Sequence, residues 1–81
     1  MNTRALIAAN LKRLMRSRGL TQQRLADLAG VRQGTVSAIA TASVSPTVDT
    51  LAALASVLEI SPREFFSKRG EMGIDATRQT V

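Results

Sequence analysis

The 81-residue chain has no cysteine, histidine, tryptophan or tyrosine. Without cysteine there is no disulfide framework and no thiolate metal site. Without histidine there is no catalytic imidazole and none of the common zinc-ligand sets. Acids are scarce as well, and the six Asp and Glu residues show no pairing that suggests a reactive site. An enzyme is therefore the least fitting class, and no cofactor or metal is expected. No apolar run approaches the roughly 18 residues of a membrane span, and the N-terminus lacks the unbroken apolar core of a secretory signal. These absences predict a soluble, cytoplasmic protein with no membrane partner.

Such a length leaves room for one small domain. A domain of this size buries only about 60% of the surface its unfolded chain exposes, so dimerisation is expected to add to its stability. The net charge of +5 is unevenly placed. Residues 1–32 carry Arg4, Lys12, Arg13, Arg16, Arg18, Arg24 and Arg32 against the single acid Asp27, a balance of +6, whereas residues 33–81 balance to −1. A basic run is ordinarily a solvated helix face. Beside a DNA-reading element it becomes a phosphate-contacting surface, where released counterions supply much of the affinity.

Such an element is present in QQRLADLAGVRQGTVSAI, Gln22 to Ile39. Leu25, Leu28 and Ala29 recur at three- and four-residue intervals and predict one apolar helix face. Ala26 permits close helix approach. Gly30 follows as the residue past the helix end, where a left-handed backbone costs glycine little. Val31 packs inward from the turn, and Val36 and Ile39 give the second helix a buried side. An ordinary helical hairpin rarely needs small, glycine and β-branched residues at all these offsets, so the spacing reads as a helix-turn-helix whose ligand is DNA.

Five helices are predicted. The first runs from Thr3 to Arg18 on an apolar face of Ile7, Leu11 and Leu14, and Gly19 ends it after a basic last turn. Thr21 caps the second helix, and the third, from Gln33 to Thr41, is the candidate recognition helix. Ala42 to Pro46 reads as loop. Thr47 or Ser45 caps a fourth helix with the core stripe Val48, Leu51, Leu54, Ala55 and Leu58. Ser61, Pro62 and Glu64 form a capping box that opens a short fifth helix ending near Lys68. Residues 1–68 are thus expected to be the DNA-binding domain, and residues 69–81, aperiodic and containing Gly70 and Gly73, a flexible tail.

From Asn10 to Phe66 the chain resembles the lambda-repressor and Cro-like helix-turn-helix family, often called the XRE family. GLTQ, LADLAGV, the SPT turn, the fourth-helix leucine pattern and SPREFF occur in order with family-like spacing. The resemblance implies an all-α, five-helix lambda-repressor-like domain, often dimeric, that sets its third helix into the major groove and acts as a transcriptional regulator or phage repressor. It also implies that Gln22 contacts a backbone phosphate and braces the recognition helix, and that Gln33 reads adenine, whose major-groove edge matches a glutamine amide. Gly34, Thr35, Ser37 and Ala38 are the neighbouring groove-side candidates. Thr35 offers a methyl to thymine or a hydroxyl to phosphate, and Gly34 offers only backbone and close approach. Thr21, Arg18, Arg24, Thr41 and Ser43 join Gln22 as expected phosphate contacts.

Three positions depart from the family pattern. Arg32 stands where a serine cap is common, which weakens the helix start and adds a cation within reach of a base or phosphate. Met15 and Ala40 replace an arginine and a glutamate that many members pair, and losing both charges together is far less costly than stranding one. Ala42 replaces the usual glycine after the recognition helix and is expected to let that helix run on by a residue or two.

Phe65 and Phe66 are the only aromatics. Adjacent helical residues point about 100° apart, so both cannot face one small core. Phe65 is expected to be the more buried, and Phe66, with Phe65 and Arg63 of the fifth helix around it, to form a two-fold interface. Two recognition helices so related lie about 34 Å apart and read a pseudo-palindromic operator. The competing expectation is an antitoxin-like or other protein-interaction module whose DNA binding is secondary and whose residues 67–81 order on a partner.

Overall fold

Three of the four α-helices begin on a side chain that takes over an otherwise orphaned backbone N–H. Asn2 Oδ1 accepts from Ala5 N at 2.8 Å, Thr21 Oγ1 from Arg24 N at 3.1 Å and Thr47 Oγ1 from Thr50 N at 3.0 Å. These caps open α1 (Thr3–Arg18), α2 (Gln22–Ala29) and α4 (Val48–Leu58). The remaining helix, α3 (Gln33–Ala40), starts at Arg32 with no side-chain cap, as the arginine at that position implies. The computed structural model describes residues 2–68, so the expected tail lies outside the described residues.

Each helix stops in one way. A residue just past the end turns left-handed, at φ 65° for Gly19, 72° for Gly30, 61° for Ala42 and 58° for Glu59. The next N–H then reaches back over the last turn: Leu20 to Met15 O, Val31 to Ala26 O, Ser43 to Ala38 O and Ile60 to Ala55 O, at 2.8–3.0 Å. This closes a Schellman motif. After α1, α2 and α4 the residue making that bond is apolar, and Leu20, Val31 and Ile60 tuck back onto the core. The expected lengthening of α3 does not occur. Ala42 adopts the glycine-type conformation despite its Cβ, at roughly 1 kcal/mol, and α3 ends at Ala40 with Thr41 as its cap.

One apolar core joins the elements. Leu11, Leu25, Val36, Ile39, Leu54, Leu58 and Phe65 are almost fully excluded from water. Against this core α3 packs on both α1 and α2, and α2 packs on α4. The described residues form four α-helices and a 3-10 turn, with no strand.

The fifth helix is corrected: Pro62–Phe66 is that five-residue 3-10 turn. Ser61 makes no side-chain cap bond, so the expected capping box is absent, and Glu64 N bonds to Ser61 O at 2.9 Å instead. Five residues are too few to repay α-helix nucleation. The turn is held from outside by Asn10, whose Nδ2 donates to Phe65 O and Ser67 O, each at 2.8 Å. Two expected core residues are corrected as well. Val48 is 80% exposed, because the core contribution of α4 starts only at Leu51. Leu28 is half exposed, since the buried face of α2 centres on Leu25, Ala26 and Ala29 and Leu28 points about 100° away from that centre.

Candidate nucleic-acid interface

The helix-turn-helix is built by α2, Gly30 and α3. Gly30 and the Val31-to-Ala26 bond reverse the chain between the two helices, and buried Ala26 lets α3 lie close. Val36, Ile39 and Ala40 anchor the inner side of α3. With that side fixed, its other residues have no choice but to face outward. Gln33 and Gly34 are exposed, whereas Thr35, Ser37 and Ala38 are partly so. All five expected groove-side residues therefore lie outside the core on one short helix, with exposed Arg32 at its start.

The residues expected to meet phosphate lie at neighbouring chain junctions. Arg18 ends α1, Thr21, Gln22 and Arg24 open α2, and Thr41 and Ser43 follow α3. Gln22 is half-buried and the other five are exposed. Their hydroxyls are not equivalent. Thr21 Oγ1 accepts from Arg24 N, which leaves its proton available to an outside acceptor. Thr41 Oγ1 instead lies 3.0 Å from Ser37 O and 2.8 Å from Ser43 Oγ, so it is occupied in closing α3. Among the described residues no carboxylate forms an ion pair with Arg18, Arg24 or Arg32. Asp27, the one acid nearby in sequence, accepts from Gln23 Nε2 at 2.9 Å.

Met15 and Ala40 are both buried in the apolar cluster. Two apolar groups there leave no stranded charge, which agrees with the paired substitution. Phe65 is fully buried, Phe66 is 46% exposed and Arg63 is exposed beside it. The adjacent phenylalanines thus divide between core and surface, and the expected place of Phe65 in a dimer interface is corrected, because its side chain is spent in the core.

Sequence reasoning missed Asn10, the only buried polar residue among those described. Besides its two bonds to the 3-10 turn, its Oδ1 accepts from Arg13 Nη2 at 3.1 Å. A signal was there: Asn10 lies three residues after Ile7 and four before Leu14, inside the apolar stripe of α1. Among the described residues no cluster of acidic side chains is arranged to hold a metal ion, and no helix is long and apolar enough to cross a membrane.

Comparison with known proteins gives this geometry a family. The Helix-turn-helix family (HTH_3) matches residues 11–65. The HTH-type transcriptional regulator PuuR of Escherichia coli (strain K12) is 38% identical over 58 residues, which are 72% of this chain and 31% of PuuR. The chain thus spans about a third of that relative's length. The uncharacterized HTH-type transcriptional regulator y4dJ of Sinorhizobium fredii (strain NBRC 101917 / NGR234) is 35% identical over 71 residues, 88% of this chain and 92% of the other. Among solved structures, the restriction-modification controller protein C.AhdI from Aeromonas hydrophila superposes with a TM-score of 0.75 at 28% identity, over 78% of this chain and 96% of its own.

Proposed function

This chain belongs to the helix-turn-helix family, and from that premise we propose that it is a transcriptional regulator of the repressor type that binds double-stranded DNA sequence-specifically. The observation that carries the reading is the disposition of α3. Its inner side is fixed by Val36, Ile39 and Ala40, while Arg32, Gln33 and Gly34 stand exposed at its leading end. A helix so presented fits the major groove, with Gln33 reading adenine and Thr35, Ser37 and Ala38 meeting base edges beside it. Arg18, Arg24, Gln22 and Thr21 lie against phosphate, and the charge surplus of the N-terminal half supplies sequence-independent affinity. Thr41 and Ser43 contribute less than their exposure suggests, because their hydroxyls bond to each other.

Residues 1–68 form the DNA-binding domain in this reading, and the protein works in the cytoplasm as a homodimer through Phe66, with Arg63 contributing to that face. The relatives named as transcriptional regulators support the regulatory role. Selection of bound duplexes from a random pool tests the whole proposal. It should return a pseudo-palindrome whose half-sites are about one helical turn apart. An unordered pool, enriched for no sequence even in dilute salt, refutes it.

A further inference from the structure

Glu59 is a poor choice for its place in the fold. It caps α4 in the left-handed region, at φ 58°, where a glycine would carry no strain. As an acid at a helix C-terminus it also faces the negative end of the macrodipole, and no basic residue stands in the last turn to offset it. Glu59 is exposed and makes no ion pair among the described residues. The bonds that close α4 use backbone alone, Glu59 N to Ser56 O at 3.2 Å and Ile60 N to Ala55 O at 3.0 Å. Among the described residues nothing requires a carboxylate here.

The 3-10 turn that follows supplies what the carboxylate lacks. Arg63 and Phe66 are three residues apart in that turn, and side chains so spaced in a 3-10 helix eclipse, so both stand on one side of it, away from buried Phe65. Arg63 is exposed and also makes no ion pair among the described residues. Extended backbone covers at most about 11 Å from Glu59 to Pro62, and the 3-10 rise adds about 8 Å to Phe66. A standard interface takes about 800 Å² per partner, a disc roughly 32 Å across, so acid, cation and aromatic fit within one patch. Having both signs matters. Across a two-fold axis a patch meets itself, so a patch of one sign repels its copy, whereas an acid and a cation offset from each other can pair both ways.

We infer that Glu59 is a partner-specificity residue of a self-complementary surface: it pairs with Arg63 of the partner subunit, and the reverse pair forms by symmetry, flanking the two Phe66 rings. The inference rests on the homodimer proposed above and adds the charges that select a second copy of this chain as the partner. An apolar centre with charge at the rim is the usual anatomy of such a contact, and rim charges govern partner choice more than raw affinity. Glu59 is therefore predicted to destabilise the monomer and stabilise the dimer.

The test exchanges charges between copies of the full chain, with sedimentation equilibrium at low salt reading association. Glu59→Arg and Arg63→Glu should each weaken homodimerisation about tenfold or more, because symmetry places two like-charge contacts in every dimer. Mixed in equal amounts, the two variants should form a heterodimer of near wild-type affinity, since every contact across the axis again joins opposite charges. Asp49→Arg, which changes net charge equally at the other end of α4, should dimerise like wild type and gain no preference for Arg63→Glu. Glu59→Gly should melt a few degrees higher than wild type at concentrations where both are monomeric, yet associate several-fold more weakly. A Glu59→Arg homodimer as tight as that of wild type overturns the inference while the homodimer itself stands. Weakened single variants that do not recover as a heterodimer overturn it too, as does an equal loss in Asp49→Arg, since net charge would then explain the effect. A lower-melting Glu59→Gly monomer overturns it as well, because the fold would then need the acid. A wild-type chain that stays monomeric is a distinct result, and it removes the homodimer reading together with this inference.

Discussion

Replacing Asn10 with alanine should cost this domain a large share of its stability, and the structure allows the amount to be estimated. The amide donates two 2.8 Å bonds that join α1 to the backbone of the 3-10 turn at Phe65 and Ser67. Each such bond contributes about 1 kcal/mol net, and leaving the buried Phe65 carbonyl without its donor adds roughly 1–3 kcal/mol. The expected loss is thus about 3–5 kcal/mol, against a total of about 4–12 kcal/mol for a domain of this length. Urea unfolding followed by circular dichroism measures it directly, and the melting temperature should drop by at least about 12 °C. Asn10→Asp separates hydrogen bonding from volume, because it keeps the shape and the oxygen facing Arg13 but turns an acceptor towards two carbonyls. It should also be clearly destabilised. If alanine costs less than about 1 kcal/mol, or aspartate is tolerated, the clamp does not hold the turn and the reasoning fails.

The interface makes further predictions. Gln33→Ala should lower affinity for the selected duplex by roughly 1–3 kcal/mol and relax preference at one base pair, whereas Arg24→Ala should weaken all sequences alike and reduce the salt slope by about 1; fluorescence anisotropy across a salt series separates the two, and equal losses on specific and random DNA from the Gln33 change would count against base reading. Phe66→Glu should leave the melting temperature of the monomer nearly unchanged while abolishing dimerisation in sedimentation equilibrium, since Phe66 is half exposed and Phe65 alone fills the core; a dimer that survives the charge would place the two-fold contact elsewhere. Ala42→Gly should stabilise the fold by about 0.5–1 kcal/mol in chemical denaturation by relieving a left-handed alanine, and a destabilised variant would show that the Cβ makes contacts worth more than its strain.

The boundaries of α1 and α2 were legible residue by residue, because their signals are local: Thr21 as a cap, Gly19 and Gly30 as stops, and leucines at helical spacing. The division between Phe65 and Phe66 was legible for a similar reason, since two adjacent large apolar side chains cannot share one core. Less local features were misread. Ala42 looked like a missing stop, yet the two backbone bonds that close α3 tolerate a strained alanine. Val48 and Leu28 continue an apolar pattern past the point where a neighbour exists to cover it, and periodicity alone does not mark that limit.

By itself the amino-acid order determined where α1 and α2 start and stop and which residues of α3 are spared from the core, since caps, left-handed glycines and apolar spacing act within a few residues. Only the tertiary structure decided that the segment after Ser61 is a 3-10 turn and that Asn10 holds it. The bond between Asn10 and Phe65 spans 55 positions of chain, and no short-range preference of either residue encodes the other.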